Sequence, residues 1–165
     1  MLGGLALFFL WNHKSSRTNA TSFPLNQAQE GSPSVYKNIY ENEKYRFSFK
    51  YPEGFTPREF SDELGDVVVV EKSGEEGFQV FVTPFDEPGP VTPERILLDV
   101  PEMIIESPQS VNIAGVETLV FFTPEEGLGK TREVWFVREG HLYQVSARSE
   151  FDAELSKIMA TWKFQ

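Results

Sequence analysis

The sequence has no cysteine and only two histidines, His13 and His141. The first absence excludes a disulfide scaffold, a thiolate zinc site, an iron-sulfur cluster and a cysteine nucleophile. The second leaves the folded part of the chain one imidazole, too few for a histidine-built metal centre. Positive charge is also scarce. Fifteen Lys and Arg stand against 25 Asp and Glu, and the net charge of -10 repels a phosphate backbone, so no nucleic-acid partner is expected. No apolar run reaches the roughly 20 residues of a membrane-spanning helix. The signatures G-x-S-x-G, H-E-x-x-H and S-x-x-K with its partners are missing too, which leaves a serine hydrolase or a zincin without an anchor point.

What is present suits one folded domain. The 165 residues are 40% apolar, and 15 Phe, 5 Tyr and 3 Trp supply large surfaces to bury. The chain divides into three parts. Residues 1–11 (MLGGLALFFLW) are uncharged and apolar, about half a span. Three readings fit them: the end of a membrane anchor, a compressed secretory signal, or an apolar arm packed on the domain. Lys14 and Arg17 behind this run favour a cytoplasmic side for the remainder of the chain, a bias that basic residues ahead of the run would oppose. Residues 12–34 are rich in Ser, Thr, Asn and Gln without apolar periodicity, the composition of a solvated linker. Residues 35–165 form the folded domain. The expected placement is membrane-anchored and extracytoplasmic.

Within the domain, Tyr45, Phe47, Phe49 and Tyr51 alternate with Arg46, Ser48 and Lys50, the pattern of a half-buried strand that Pro52-Glu53-Gly54 ends. Val67–Val70 and Phe78–Val82 flank the turn Ser73–Gly77 as a hairpin. Thr92-Pro93-Glu94 predicts a helix start, with Ile96, Leu97 and Val100 on its buried side and Pro101 stopping it near Asp99. A meander comes next: Gln109–Ile113, Val116–Phe122 across Ala114-Gly115, Arg132–Val137, and Leu142–Ala147 across Glu139-Gly140-His141. Ser149 and Asp152 predict a capping box, and Phe151, Leu155, Ile158, Met159 and Trp162 recur at helical spacing. The fold class expected is α+β, an antiparallel sheet flanked by helices.

Few residues suggest chemistry. Gly127-Leu128-Gly129-Lys130-Thr131 copies the end of a phosphate-binding loop, but Pro124 stands where the first glycine belongs and a strand succeeds it instead of a helix. A glycine-rich turn between strands is the better reading. His141 falls at a hairpin, where a solvated ring is expected. Glu75-Glu76 and Glu125-Glu126 fall at turns and lack the calcium-loop pattern. Trp135, Tyr143 and Trp162 form an aromatic stripe that reads as core before it reads as a ligand groove. No catalytic, metal-binding or cofactor-binding residue is assigned, and no cofactor is expected.

From Tyr36 to Phe164 the chain resembles the PsbP family, in particular the bacterial PsbP-related single-domain proteins. The resemblance rests on Tyr45–Pro52 with Gly54-Phe55, on Glu133–Val137 and Leu142–Val145 around their turn, and on Ile158–Phe164. It implies an α/β/α sandwich, shared with a Ran-binding nuclear-import factor, and a non-enzymatic role. Plant PsbP is an extrinsic subunit that helps photosystem II retain calcium and chloride. Bacterial relatives often sit behind a membrane anchor or a lipoprotein signal, and the missing lipobox cysteine favours a helical anchor here. The function expected is an anchored accessory domain that contacts a membrane-associated protein. A hydrolase whose carboxylates are distant in sequence, or a cytosolic adaptor, are the alternatives.

Overall fold

In the computed structural model, residues 36–72, 76–125 and 129–165 are described. The apolar start, the linker, Glu75, Glu126, Gly127 and Leu128 fall outside the described residues, as does the side chain of Glu125. Among the described residues, alternation of apolar and polar side chains produces two antiparallel sheets. The smaller joins β1 (Asn38–Asn42), β2 (Phe47–Tyr51) and β10 (Lys163–Phe164) in the order β1-β2-β10. The larger contains β3 (Thr56–Ser61), β4 (Asp66–Lys72), β5 (Glu76–Pro84), β6 (Glu106–Ile113), β7 (Val116–Glu125), β8 (Gly129–Arg138) and β9 (His141–Arg148), in the order β3-β4-β5-β9-β8-β7-β6.

Register explains how the larger sheet buries its first face. Val68, Val80, Val145, Val134 and Val120 are direct cross-strand partners, so one row of β-branched side chains crosses five strands. Phe78 faces Ala147, and Phe136 faces Tyr143, in flanking rows. Against this face lies the small sheet, through Tyr40, Phe47 and Phe49, together with Leu155, Ile158 and Met159 of α2 (Asp152–Met159). Trp162 joins the two layers. Its ring stacks on Phe47 at 4.6 Å between centroids and on Phe49 at 5.2 Å.

The tight turns follow their residue types. Glu139-Gly140 and Ala114-Gly115 hold both central positions at positive φ (49° and 75°, 50° and 86°), the geometry that matches the twist of a two-residue hairpin.

The flanking-helix sandwich needs correction, because the domain is mostly antiparallel sheet with two short helices. The first, α1 (Pro93–Asp99), has seven residues, stopped short of Pro101 as its ring demands. The second ends at Met159, so Trp162 lies beyond it. The small sheet and α2 together pack on the face that longer helices would have taken. The capping box is also absent: α2 has Phe151 at its cap position with no side-chain hydrogen bond. Asp152 turns to a buried arginine instead, accepting from Arg132 Nε at 2.6 Å and Nη2 at 3.1 Å. The aromatic strand begins at Phe47 rather than Tyr45, because Arg46 has φ 54° and belongs to the preceding turn.

Candidate functional site

The second face of the larger sheet carries the candidate site. Leu119, Phe121, Trp135 and Leu142 point to this side, opposite the valine row, and form a separate core with Phe85, Val91 and Ile96. Between them stands a fully buried carboxylate, Glu133. Its register partner Ser146 donates to Oε2 at 2.5 Å, Trp135 Nε1 donates to Oε2 at 3.0 Å, and Thr131 Oγ1 donates to Oε1 at 2.9 Å. These bonds replace the water that burial removes. They also set the orientation of the Trp135 ring, because the indole nitrogen is held from behind.

The segment after β5 lies across this face. Its start is pinned by the Phe85 amide, which donates to the Gly140 carbonyl at 2.8 Å. Thr92 caps α1, its hydroxyl accepting from the Arg95 amide at 3.2 Å, and Pro93 occupies the first turn, where a missing amide hydrogen costs nothing. A short helix is thereby fixed with Ile96 inward, while Leu97, expected on the buried side, turns outward with Leu98. Beneath it opens a cavity of about 100 Å³, walled by Phe85, Val91, Ile96, Val100, Trp135 and Leu142.

Polar groups gather at one side of this cavity. Arg95 Nη2 donates to Glu87 Oε1 at 2.7 Å and lies 3.0 Å from Asp99 Oδ2, with its guanidinium carbon 5.8 Å from the centre of the Phe85 ring. The Asp99 contact is a close ion pair without an aligned hydrogen bond, and Asp99 Oδ2 is buried with no hydrogen-bond partner among the described residues. One cation therefore serves two carboxylates. The Asp99 side chain is 14% exposed and that of Glu87 43%, so the arrangement does not place two buried carboxylates in one cleft.

A second polar cluster lies on the other side of the sheet, between the β1–β2 turn and the β3–β4 hairpin. Tyr40 donates to Glu59 at 2.7 Å, and both Tyr45 and Lys44 reach Asp66 at 2.5 Å. The hydrogen bond from Lys44, then those from Ser61 and Tyr45, hold the Asp66 carboxyl at about 2. Burial, followed by the bond to Asp66, raises Tyr45, and burial is likewise the main cause that raises Tyr40. Both phenols stay protonated and donate to Glu59 and Asp66, tying the β1–β2 turn to the β3–β4 hairpin.

The residues singled out in the sequence separate. Trp135 lines the cavity, whereas Tyr143 and Trp162 lie on the opposite face within the main core, where burial pushes Tyr143 up to about 12. Gly129 and Lys130 start β8, pairing with Glu125 and Pro124, so the strands on either side of the glycine-rich segment are antiparallel neighbours. Lys130 pairs with Glu106, and Thr131 is buried against Glu133. His141 is half-buried rather than simply solvated, its ring edge-on to Tyr45 at 5.1 Å. Among the described residues no three His, Asp or Glu side chains gather closely enough to hold a metal ion. Sequence reasoning missed Glu133 and Arg95. For Glu133 a signal existed: an acid leading directly into Val134-Trp135-Phe136-Val137, a run apolar on both faces, needs a partner.

The sequence matches no protein-family profile and no curated protein. Solved structures do resemble it. Cyanobacterial PsbP (CyanoP) from Synechocystis sp. PCC 6803 superposes with a TM-score of 0.57 at 13% identity, over 86% of this chain and 99% of that one. A protein from Bacteroides thetaiotaomicron gives a TM-score of 0.48 at 16% identity, over 77% of this chain and 48% of that one. The fold is therefore PsbP-like, as the aromatic strand and closing segment led us to expect.

Proposed function

We propose that this chain is a non-catalytic accessory domain, held at a membrane outside the cytoplasm by its N-terminal segment, that works by surface contact with a membrane-associated protein. The observation that carries the reading is the outer side of α1 and the turn after it. Leu98 is 75% exposed there, Ile104 56% and Leu97 40%, on the same 85–105 segment whose inner side walls the cavity. Three large aliphatic side chains exposed within one short segment mark an interaction surface more often than isolated exposed leucines do. The PsbP-like fold supports an accessory role, and the apolar start succeeded by a polar linker supports a tether.

Two measurements test it. Fractionation of cells expressing a C-terminally tagged chain should leave the protein with membranes, and full recovery in the soluble fraction would remove the anchor. A photo-crosslinking residue in place of Leu98 should join the chain to a membrane protein, whereas one in place of exposed Glu139 on the β8–β9 turn should not. Equal adducts from both positions, or none from Leu98, would remove the contact surface.

A further inference from the structure

We infer that the cavity under α1 is the receptor for a single apolar side chain of a partner polypeptide, flanked in that partner by lysine or arginine. This deepens the reading above and rests on its premise of surface contact. Size comes first. A dry apolar cavity of roughly 150 Å³ takes up benzene, and about 100 Å³ with an open mouth suits one phenyl or branched aliphatic group. It is too small for a drug-sized ligand, whose pockets start at roughly 300 Å³.

The walls are built to be filled. Trp135 lines the cavity, and its indole nitrogen already donates to Glu133, so an incoming apolar group strands no polar atom of that ring. Leu97, Leu98 and Ile104 add exposed apolar surface on the same 85–105 segment whose inner side walls the cavity.

Charge defines the neighbours of that anchor. The segment over this face carries Asp86, Glu87, Glu94, Asp99 and Glu102 against Arg95 alone. The three charged residues that line the cavity, Glu87, Asp99 and the Arg95 they share, leave a net negative charge there. A lysine or arginine beside the anchor would pair with the exposed Glu87 carboxylate and offset that excess. An acidic partner would lack this match.

The test uses the full 15N-labelled chain and the synthetic peptide acetyl-Lys-Lys-Phe-Lys-Lys-amide, with serine in place of phenylalanine, or glutamates in place of the lysines, as controls. Shifts should centre on Val91, Ile96, Val100, Leu142 and the Trp135 indole. Both control peptides should bind at least tenfold more weakly, and so should the parent peptide to the double variant Glu87→Gln/Asp99→Asn. Leu98→Ser, a substitution at an exposed position that leaves the fold alone, should weaken it several-fold. Shifts scattered over other acidic surfaces, or equal binding of the serine peptide, would overturn the inference. So would a Trp135 shift in the peptide-free chain on Phe8→Asp/Phe9→Asp, which would make the chain's own start the occupant. A peptide-free dimer that Leu98→Ser dissociates would overturn it in favour of a second copy. A seated peptide with no membrane association in cells would remove the anchor from the reading above and leave the cavity inference standing. A crosslink from Leu98 with no seated peptide would do the reverse.

Discussion

Replacing Arg132 with methionine should destabilise the domain by about 3–5 kcal/mol, the cost of leaving a buried ion without its partner. Arg132 is 2% exposed on β8, and its guanidinium meets Asp152 in a two-point contact while lying 3.5 Å from the centre of the Phe122 ring. The pair fastens the start of α2 to the central sheet. Methionine fills much of the volume of the arginine stem, so the loss comes mainly from the stranded carboxylate. Because the Asp152 side chain keeps 11% of its exposure, the lower end of the range is expected. For a domain of this size the melting temperature should fall by about 10–15 °C. The double variant Arg132→Met/Asp152→Leu removes both ions and should return to within about 1.5 kcal/mol of the parent, since well-packed apolar replacements of buried pairs are often close to neutral. Urea unfolding monitored by tryptophan fluorescence measures all three, and the cycle isolates the coupling. A loss below about 1 kcal/mol for Arg132→Met, or a double variant as unstable as the sum of its singles, would refute the claim that the two charges are energetically tied.

Trp162→Ala should cost about 3–5 kcal/mol, because it empties the space between the two sheets where the ring stacks on Phe47 and Phe49 and meets Phe136 edge-on, and equilibrium unfolding checks it. A cost under about 1 kcal/mol would mean the small sheet is not bound through this ring. Asp66 supplies a pH test. Its folded-state value is depressed, so the contact with Lys44 and Tyr45 stabilises the fold fully above the ordinary carboxylate range, and that contribution fades as pH falls from about 4 toward about 2. Asp66→Asn should flatten the stability profile in that window and leave its shape at neutral pH unchanged; an identical acid limb in the variant would exclude Asp66 as its source.

Much of this molecule is dictated by local chemistry. The Thr92-Pro93 start and the Pro101 stop delimit α1, since a hydroxyl cap, a fixed φ and a missing amide hydrogen act within one turn. Ala114-Gly115 and Glu139-Gly140 specify hairpins, and alternation assigns Phe47 and Phe49 to one face. Zero cysteine and a net charge of -10 set the excluded chemistries directly. Other features had no local signal. The strand β3 is exposed along nearly its whole length and reads as loop, since its only warrant is pairing with β4. Asp152 carries every mark of a helix cap, yet a buried guanidinium from 20 residues earlier attracts it more strongly than neighbouring amides do. The division of the aromatic stripe is likewise tertiary: Trp135 and Tyr143 both lie in sheet strands, but parity turns one to the α1 cavity and the other to the main core. Periodicity tells which residues share a face, while only the crossing of the 85–105 segment over that face decides which side chains enclose a space and which charges surround its mouth.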